Sequence, residues 1–245
     1  MIASLDRIVL RASFIDGAVG AYETLFGRRA TDGRFRLGNV GLTIEDEPLT
    51  AGLSTMIFAT ESLDKAQRLL ERRGVPGDRE GGRLMLAREA THQVPIAVTE
   101  PEDSPPLSPL VGADEAASIS ALDHVVIRTL NPERAVALYG SRLGLDLRLD
   151  RSNPQWNARL LFFRCGDLVV EIAHDLGKGI SDGPDQLWGL SWRTPDIARC
   201  HARLKKAGVE LSELRDGRRP ATQVFTVHSH TANVPTIVIG RLDRW

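Results

Sequence analysis

The chain has 245 residues, of which 42% are hydrophobic and 26% charged, and its 31 basic and 32 acidic side chains leave a formal net charge of −1. This length allows one large domain or two ordinary ones with a sizeable core. The charge balance argues against a nucleic-acid partner, and no apolar run is long enough to span a membrane. The N-terminal stretch lacks the apolar segment of a secretory signal. Two cysteines without metal-type spacing favour reduced thiols, so we expect a cytoplasmic protein.

The first half of the chain recurs in the second half, which predicts an internal duplication. Four features recur at one spacing of 117 residues: Leu5-Asp6 as Leu122-Asp123, Val19 as Val136, Tyr22 as Tyr139 and Gly27 as Gly144. The spacing then grows along the chain, as insertions at loops would make it grow. Residues 100–119 are rich in proline and alanine and partly acidic, and they are predicted to be a linker. We therefore expect one domain at residues 1–99 and another at 120–245.

Residues 1–99 show the order strand, helix and three strands weakly, and the second half shows the same order clearly. Val- and Ile-rich alternation indicates strands, and Asn131-Pro132 is typical of a helix start. The elements predicted in the second half are strands at 123–129, 145–149, 158–165, 168–173, 188–193, 209–214, 222–228 and 236–240, with helices opening at Pro132 and spanning 195–207. The sequence thus predicts an α+β fold of four βαβββ units paired into two domains.

The four predicted units, with Leu122–Ile127 opening the third, resemble the vicinal-oxygen-chelate superfamily. That superfamily includes glyoxalase I, extradiol ring-cleaving dioxygenases and the bleomycin- and fosfomycin-resistance proteins. The resemblance covers nearly the whole chain outside the linker. It implies that paired units curl their mixed sheets into cups, and that a divalent metal is held inside by the first and last strand of each unit. The matching motifs are short, so they indicate the fold and not the reaction.

The resemblance assigns two metal ligands in the second half. The family's first-strand histidine corresponds to His124, and its last-strand glutamate corresponds to Glu171. An imidazole with a carboxylate suits Zn, Fe, Mn or Ni. In the fourth unit the corresponding positions are Gly189 and either Val238 or Ile239, which cannot bind a metal. The sequence therefore supplies two ligands, where catalytic zinc typically has three from the protein.

A third ligand is sought among the remaining histidines. His228 and His230 are two residues apart, near the end of a predicted strand, so alternation would direct both to one side. We take His228 as the replacement metal ligand. A polar turn after the strand is the alternative explanation for both residues.

Arginines near the two ligands suggest an anion site. Arg128 shares a predicted strand face with His124, and Arg164 lies on the strand beside the one that carries Glu171. Guanidinium groups grip carboxylates and phosphates well, so we expect Arg128 and Arg164 to assist catalysis together with Glu171. The alternatives are a structural ion pair with Glu171 or plain exposure on a strand.

The first half lacks the metal pattern and is predicted to be a degenerate copy. Arg7 occupies the position of His124, and Thr43 lies near the position of Glu171. Any chemistry should therefore belong to residues 120–245. Three tryptophans of the second half, Trp156, Trp188 and Trp192, are candidates for an apolar pocket, with core packing as the alternative for Trp192.

Two functional hypotheses follow. The first is a metal-dependent lyase, isomerase or dioxygenase of the glyoxalase type that acts on a small oxygenated molecule, aromatic or anionic. The second is a metal-free protein of the bleomycin-resistance type that binds or sequesters a small molecule. Phosphate-binding loops and serine-hydrolase elbows are absent from the sequence. The expected partner is a small molecule, without nucleic acid or membrane, and a homodimer is left open.

Overall fold

The computed structural model describes residues 2–47, 51–101 and 114–242. The first half contains β1 (Ile2–Ala12), α1 (Ile15–Phe26), β2 (Arg34–Arg36), β3 (Gly41–Asp46), β4 (Gly52–Thr60), α2 (Leu63–Arg72), β5 (Gly77–Glu80), β6 (Arg83–Leu86) and β7 (Ile96–Thr99). The second half contains β8 (Ala121–Arg128), α3 (Pro132–Ala135), β9 (Asp146–Asn153), β10 (Ala158–Cys165), β11 (Leu168–Asp175), β12 (Gln186–Arg193), α4 (Ile197–Lys206), β13 (Arg215–Asp216), β14 (Thr222–Val227) and β15 (Thr236–Arg241). None of the described helices is long and apolar enough to cross a membrane.

The strands form two open, mixed sheets. The first has the order β2-β3-β1-β4-β7-β6-β5, and the second has the order β13-β14-β15-β12-β8-β11-β10-β9. The pairs β4–β7, β8–β11 and β12–β15 are parallel, whereas the hairpin pairs β9–β10, β10–β11 and β14–β15 are antiparallel. The predicted α+β fold is therefore confirmed. The second, third and fourth units have the order βαβββ, and the first has two described strands after its helix.

The described residues also fall into two compact units. The first unit draws them from Met1–Ile8, Ser54–Asp103 and His124–Trp188, and the second draws them from Val9–Leu53, Ser104–Asp123 and Gly189–Trp245. The domain boundaries at residues 99 and 120 stay a prediction. Residues 102–113 of the predicted linker lie outside the described ranges, and Glu115–Ala117 form one 3₁₀ turn.

The helix of the third unit begins as its sequence indicates. The Asn131 side chain accepts a hydrogen bond from the Arg134 backbone N–H at 3.1 Å, and Pro132 occupies the first turn. Beyond α3 the helix continues as a π-helix, Val136–Arg142, and the chain then turns at Gly144 with φ of 81°. The left-handed conformation at Gly144 is the reason glycine ends this helix. The π winding itself was not predicted.

Strand alternation separates a buried face from a more accessible one in the third unit. Val125 and Ile127 of β8, together with Val170 and Ile172 of β11, have no exposed surface. Burial of such side chains contributes about 1.5–3 kcal/mol each. The buried face also holds an aromatic pair, Tyr139 and Phe163, with ring centroids 5.9 Å apart. The opposite side of the same strands carries the polar residues considered below.

One predicted strand, at 209–214, is wrong. Only Leu211 forms an isolated bridge there, and β13 begins later, at Arg215. The Ser212 hydroxyl accepts a hydrogen bond from the Thr226 N–H at 2.8 Å, so a side chain takes the place of a ladder partner. The Ser212 carbonyl, which would accept that N–H in a regular ladder, instead lies 3.0 Å from His201 Nε2. Serine competes with regular pairing in this way.

Candidate functional site

Register on the second sheet defines the side that we call the open face. Glu171 pairs with Phe162 across β10–β11 and with Val126 across β11–β8, and directly paired residues lie on the same side of a sheet. The same rule, extended through the β9–β10 pairs, gives the members of this face within the first compact unit: Asp146, Leu149, Arg151, Asn153, Ala158, Leu160, Phe162, Arg164, Val169, Glu171, Ala173, Asp175, His124, Val126 and Arg128. The open face therefore combines an apolar floor with ionisable groups.

Two ionisable groups meet on the open face. His124 Nε2 lies 3.3 Å from Glu171 Oε2, and their side chains are 15% and 12% exposed. His124 pairs with Val169 in the parallel ladder, so the imidazole reaches the carboxylate along a diagonal between neighbouring strands. A carboxylate in such surroundings needs a partner, and the imidazole supplies one. The structure thus brings together the two residues that the resemblance singles out. We call them the His124–Glu171 pair.

The described residues fit two positions of a metal's coordination shell and do not fit a complete one. Two ligands about 2.0–2.1 Å from one ion lie roughly 3.0–3.4 Å apart, and the His124–Glu171 separation of 3.3 Å falls in that range. Among residues 2–47, 51–101 and 114–242, however, no three His, Cys, Asp or Glu side chains are grouped so that they could hold a metal. The pair therefore offers at most two protein ligands to a metal.

Backbone packing explains why the fourth unit carries no ligand at its first-strand position. A Cβ atom on Gly189 would lie 2.8 Å from the Pro235 carbonyl oxygen, closer than real Cβ contacts. The same oxygen accepts a hydrogen bond from the Leu190 N–H at 2.9 Å. Val238 and Ile239 on β15 are buried apolar residues. Neither ligand position of this unit can therefore present a donor atom.

His228 is not grouped with other metal-binding side chains among the described residues. Strand β14 ends at Val227, one residue earlier, and His228 is exposed with its N–H bonded to the Glu210 carbonyl at 2.8 Å. His230 has φ of 61°, and its Nδ1 lies 2.9 Å from the Ser229 hydroxyl. Alternation does not extend past the end of a strand, so the geometry gives His228 no support as a replacement ligand. The polar-turn explanation describes this segment.

The two candidate arginines differ in their surroundings. The Arg128 guanidinium carbon lies 3.8 Å from the centroid of the Trp188 ring, a cation–π contact. Arg164 is exposed, and its Nε donates to the Gly166 carbonyl at 3.1 Å. Arg164 also lines a surface cavity of about 340 Å³ at the start of β9. The structure gives neither arginine an ion pair with Glu171, which argues against the purely structural alternative.

A buried polar network that the sequence analysis missed lies beside the open face. The Asp185 carboxylate accepts hydrogen bonds from the Thr129 hydroxyl at 2.7 Å and from Arg134 Nη2 at 2.8 Å. The Thr129 carbonyl lies 3.1 Å from Nδ1 of His174, which is buried. Asp185 could not be recognised from the sequence, because a polar residue before a strand normally indicates a solvated loop.

This network fixes the ends of two strands. Thr129 follows Arg128 at the end of β8, and Asp185 precedes the start of β12, which carries Trp188. The hydrogen bond between Thr129 and Asp185 therefore holds the strand ends that present the Arg128–Trp188 pair. A side chain fixed through buried neighbours keeps its geometry better than one on a free loop.

The three tryptophans of the second half do not form one pocket. Trp192 is fully buried, and its ring lies 4.8 Å from that of Phe26 in an edge-on contact. Trp156 is 38% exposed, and the Arg151 guanidinium carbon lies 5.2 Å from its ring centroid. Trp192 therefore belongs to the core, whereas Trp156 and Trp188 each form a cation–π contact with an arginine.

Two further features limit the chemistry. Cys165 and Cys200 are buried free thiols, and burial raises the pKa of Cys165 to about 12, so this thiol is no ready nucleophile. In the first half, Arg7 is buried and its Nε lies 2.8 Å from Asp6 Oδ2. Thr43 lies on β3, paired with Arg34. Neither Arg7 nor Thr43 is a ready metal ligand.

Part of the chain is similar in sequence to known proteins. Residues 123–225 match the family model of the Glyoxalase/Bleomycin resistance protein/Dioxygenase superfamily. The ethylmalonyl-CoA/methylmalonyl-CoA epimerase of Cereibacter sphaeroides is 26% identical over 100 residues, which cover 38% of this chain and 75% of that protein. This match points to the same family of folds as the sequence resemblance.

Solved structures resemble nearly the whole chain. BphC, a halotolerant catechol dioxygenase, superposes with a TM-score of 0.74 at 12% identity, covering 98% of this chain and 87% of that one. The Mn(II)-bound glyoxalase from Novosphingobium aromaticivorans superposes with a TM-score of 0.70 at 15% identity, covering 99% and 83%. At these identities the similarity establishes the fold alone.

Proposed function

We propose that the open face binds a small oxygenated molecule and moves a proton on it, in keeping with the match of residues 123–225 to the family model of glyoxalases, bleomycin-resistance proteins and dioxygenases. The observation that carries this proposal is the His124–Glu171 pair, with 3.3 Å between Nε2 and Oε2 and both side chains partly accessible. Acid–base catalysis needs such groups within reach of a bound molecule. The pair lies on a face whose floor is otherwise largely apolar.

The proposed chemistry is removal and return of a proton beside a carbonyl group. The Glu171 carboxylate accepts the proton as the C–H bond breaks, and the electron pair moves onto the carbonyl oxygen. The same proton, or one exchanged with solvent, then returns to carbon and releases Glu171. His124 stabilises the charged carboxylate between turnovers, and Arg128 N–H groups stabilise the oxyanion. The sequence similarity to an epimerase supports an isomerase of this kind.

Metal dependence is the alternative form of this enzyme. A divalent ion, when bound, would supply Lewis-acid chemistry at two neighbouring substrate oxygens. His124 and Glu171 are the residues that would hold it, with the remaining positions left to ligand or solvent. Serving as metal ligands would prevent the same two groups from acting as acid and base, so the two forms are experimentally distinct.

A metal-free binding protein is the second candidate function. The grouping of only two metal-binding side chains on an apolar floor favours it. In this case the open face would retain its ligand without proton transfer.

The test follows the incorporation of solvent deuterium into methylmalonyl-CoA, the compound for which the similar epimerase of Cereibacter sphaeroides is named. Wild type should exchange the hydrogen between the carboxylate and the thioester. Glu171→Gln should lower the rate at least about 100-fold, the size of a typical acid–base contribution. Glu133→Gln is the matched control, because that glutamate is 68% exposed and pairs with Arg159 away from the open face. Its exchange rate should equal that of the wild type.

Metal content of the same samples separates the alternatives. One tightly bound ion that is lost in His124→Ala, with exchange that depends on it, would establish the metal-dependent form. Ligand binding without exchange would establish the binding protein. Unchanged exchange in Glu171→Gln would remove the acid–base role of the pair.

A further inference from the structure

Two arginine–tryptophan pairs flank the open face. Arg128 stacks on Trp188 at 3.8 Å, and Arg151 lies over Trp156 at 5.2 Å. An aromatic ring orients a guanidinium and leaves its N–H edge available to an anion. Within the described part of the chain neither Arg128 nor Arg151 is in an ion pair with a carboxylate. Each pair therefore contains a guanidinium that is already oriented, has no carboxylate partner among the described residues and can bind an anion.

The two arginines occupy the same row of the sheet. Arg151 pairs with Leu160 across β9–β10, and Ala173 pairs with both Leu160 and Arg128. Neighbouring strands lie about 4.8 Å apart, so the two arginine Cα atoms are about 14 Å apart. Between them the row contains Leu160 and Ala173, which are apolar. The result is an apolar strip with a positive group at each end.

The His124–Glu171 pair lies beside this strip. Glu171 is two residues before Ala173 on β11 and therefore one step along the same face. A molecule that spans the strip would place its central part next to the carboxylate. Its ends would reach the two guanidinium groups.

From this arrangement we infer that the open face takes an elongated dianion with a flat or apolar body and an anionic group at each end. This inference rests on the proposed small-molecule site and specifies its ligand class. A monoanion would use one of the two arginines and leave the other solvated. A dianion would use both, which adds a second charge-assisted contact over the same apolar floor.

Calorimetric titration of the full chain with two matched probes tests the inference. Naphthalene-2,6-dicarboxylate has a carboxylate at each end of a flat body, and 2-naphthoate has the same body with one carboxylate. We expect the dicarboxylate to bind wild type at least about tenfold more tightly, which corresponds to about 1.4 kcal/mol. Arg128→Gln and Arg151→Gln should each reduce the dicarboxylate affinity to about that of the monocarboxylate.

Arg148→Gln is the control for loss of charge. Arg148 lies on the same strand as Arg151 but is the bulged residue of β9, and its Nε pairs with Asp146 at 2.8 Å. Both probes should bind this variant as they bind wild type. Continued binding of 2-naphthoate to the Arg128 and Arg151 variants would show that they fold.

Three results would overturn the inference. Equal wild-type affinities for the two probes would show that the second arginine is unused, while the small-molecule site itself would stand. A dicarboxylate preference that survives both arginine variants would show that Arg128 and Arg151 do not bind the two anionic groups. No binding of either probe would show that the ligand class is wrong. The proton-transfer proposal is decided separately by deuterium exchange, so the two failures are distinguishable.

Discussion

Replacing Asp185 with alanine should destabilise the protein more than any surface substitution near the open face. Asp185 has a fully buried side chain that accepts hydrogen bonds from Arg134 and Thr129. Its loss leaves the Arg134 guanidinium, which is 16% exposed, without its carboxylate. Removing one partner of a buried ion pair typically costs about 3–5 kcal/mol.

The lower end of that range applies to Asp185. Arg134 Nη2 keeps a hydrogen bond to the Gly183 carbonyl at 2.7 Å, which offsets part of the loss. Arg134 Nε and Asp185 Oδ2 also have no hydrogen-bond partner among the described residues, so the native network is not fully satisfied. We therefore expect a loss of about 3 kcal/mol, which lowers the melting temperature of a chain of this size by roughly 6–12 °C.

Urea unfolding followed by tryptophan fluorescence measures this loss as a shift of the midpoint at unchanged slope. Asp182→Ala is the matched control, because Asp182 faces the same arginine at 3.9 Å but is 93% exposed. That variant should unfold with wild type, since exposed pairs contribute little. A further variant with Asp185→Leu and Arg134→Met should recover part of the loss. Equal midpoints for Asp185→Ala and Asp182→Ala would refute the assigned role of the network.

Two further predictions concern packing and pH. Gly189→Ala should destabilise the protein, because the added Cβ would lie 2.8 Å from a backbone oxygen. Gly20→Ala in α1 has open space around the added Cβ and should stabilise the protein by about 0.5–1 kcal/mol. Equal shifts of the melting temperature in the two variants would contradict this prediction. Burial, followed by the charge of Arg134, lowers the pKa of His92. The unfolded chain therefore binds the proton first as pH falls below about 6.5, so the His92 contribution to stability is complete above that pH and is lost below it. His92→Asn, which suits φ of 54°, should show a smaller stability loss between about pH 7.5 and about pH 5.5, and an identical loss would contradict the assignment.

The fold was predictable wherever one strong local pattern decided an element. Strand β10 matches its predicted bounds, Ala158–Cys165, because its side chains are mostly apolar and Asn157 and Gly166 bound it. The segment at 209–214 carries similar apolar residues, yet Ser212 hydrogen bonds interrupt its ladder and leave one isolated bridge at Leu211. The π-helix at Val136–Arg142 could not be predicted either. Apolar spacing predicts a helix but does not distinguish π from α winding.

The candidate site was predictable to the extent that it depends on strand faces. Alternation placed His124 and Glu171 on definite sides of their strands, and parallel pairing then brought them to 3.3 Å. The position of His228 depended on where β14 ends, which alternation does not specify. The burial of Asp185 could not be predicted, because it lies in a loop whose polar residues indicate exposure to solvent. The face of a strand on which a side chain lies can be predicted from the sequence. The residue at which a strand ends and the path of a loop depend on the tertiary structure.

The two ligand positions that the resemblance implies in the fourth unit are closed to side-chain donors. At Gly189 the backbone of β12 approaches the Pro235 carbonyl so closely that no side chain fits, and the partner position on β15 is apolar and buried. The lack of ligands in this unit therefore follows from backbone packing as well as from residue type. His124 and Glu171 keep their contact and their access to the open face despite that lack. Paired and accessible groups without further ligands suit the proposed acid–base chemistry, and the flanking arginines suit the proposed anionic ligand.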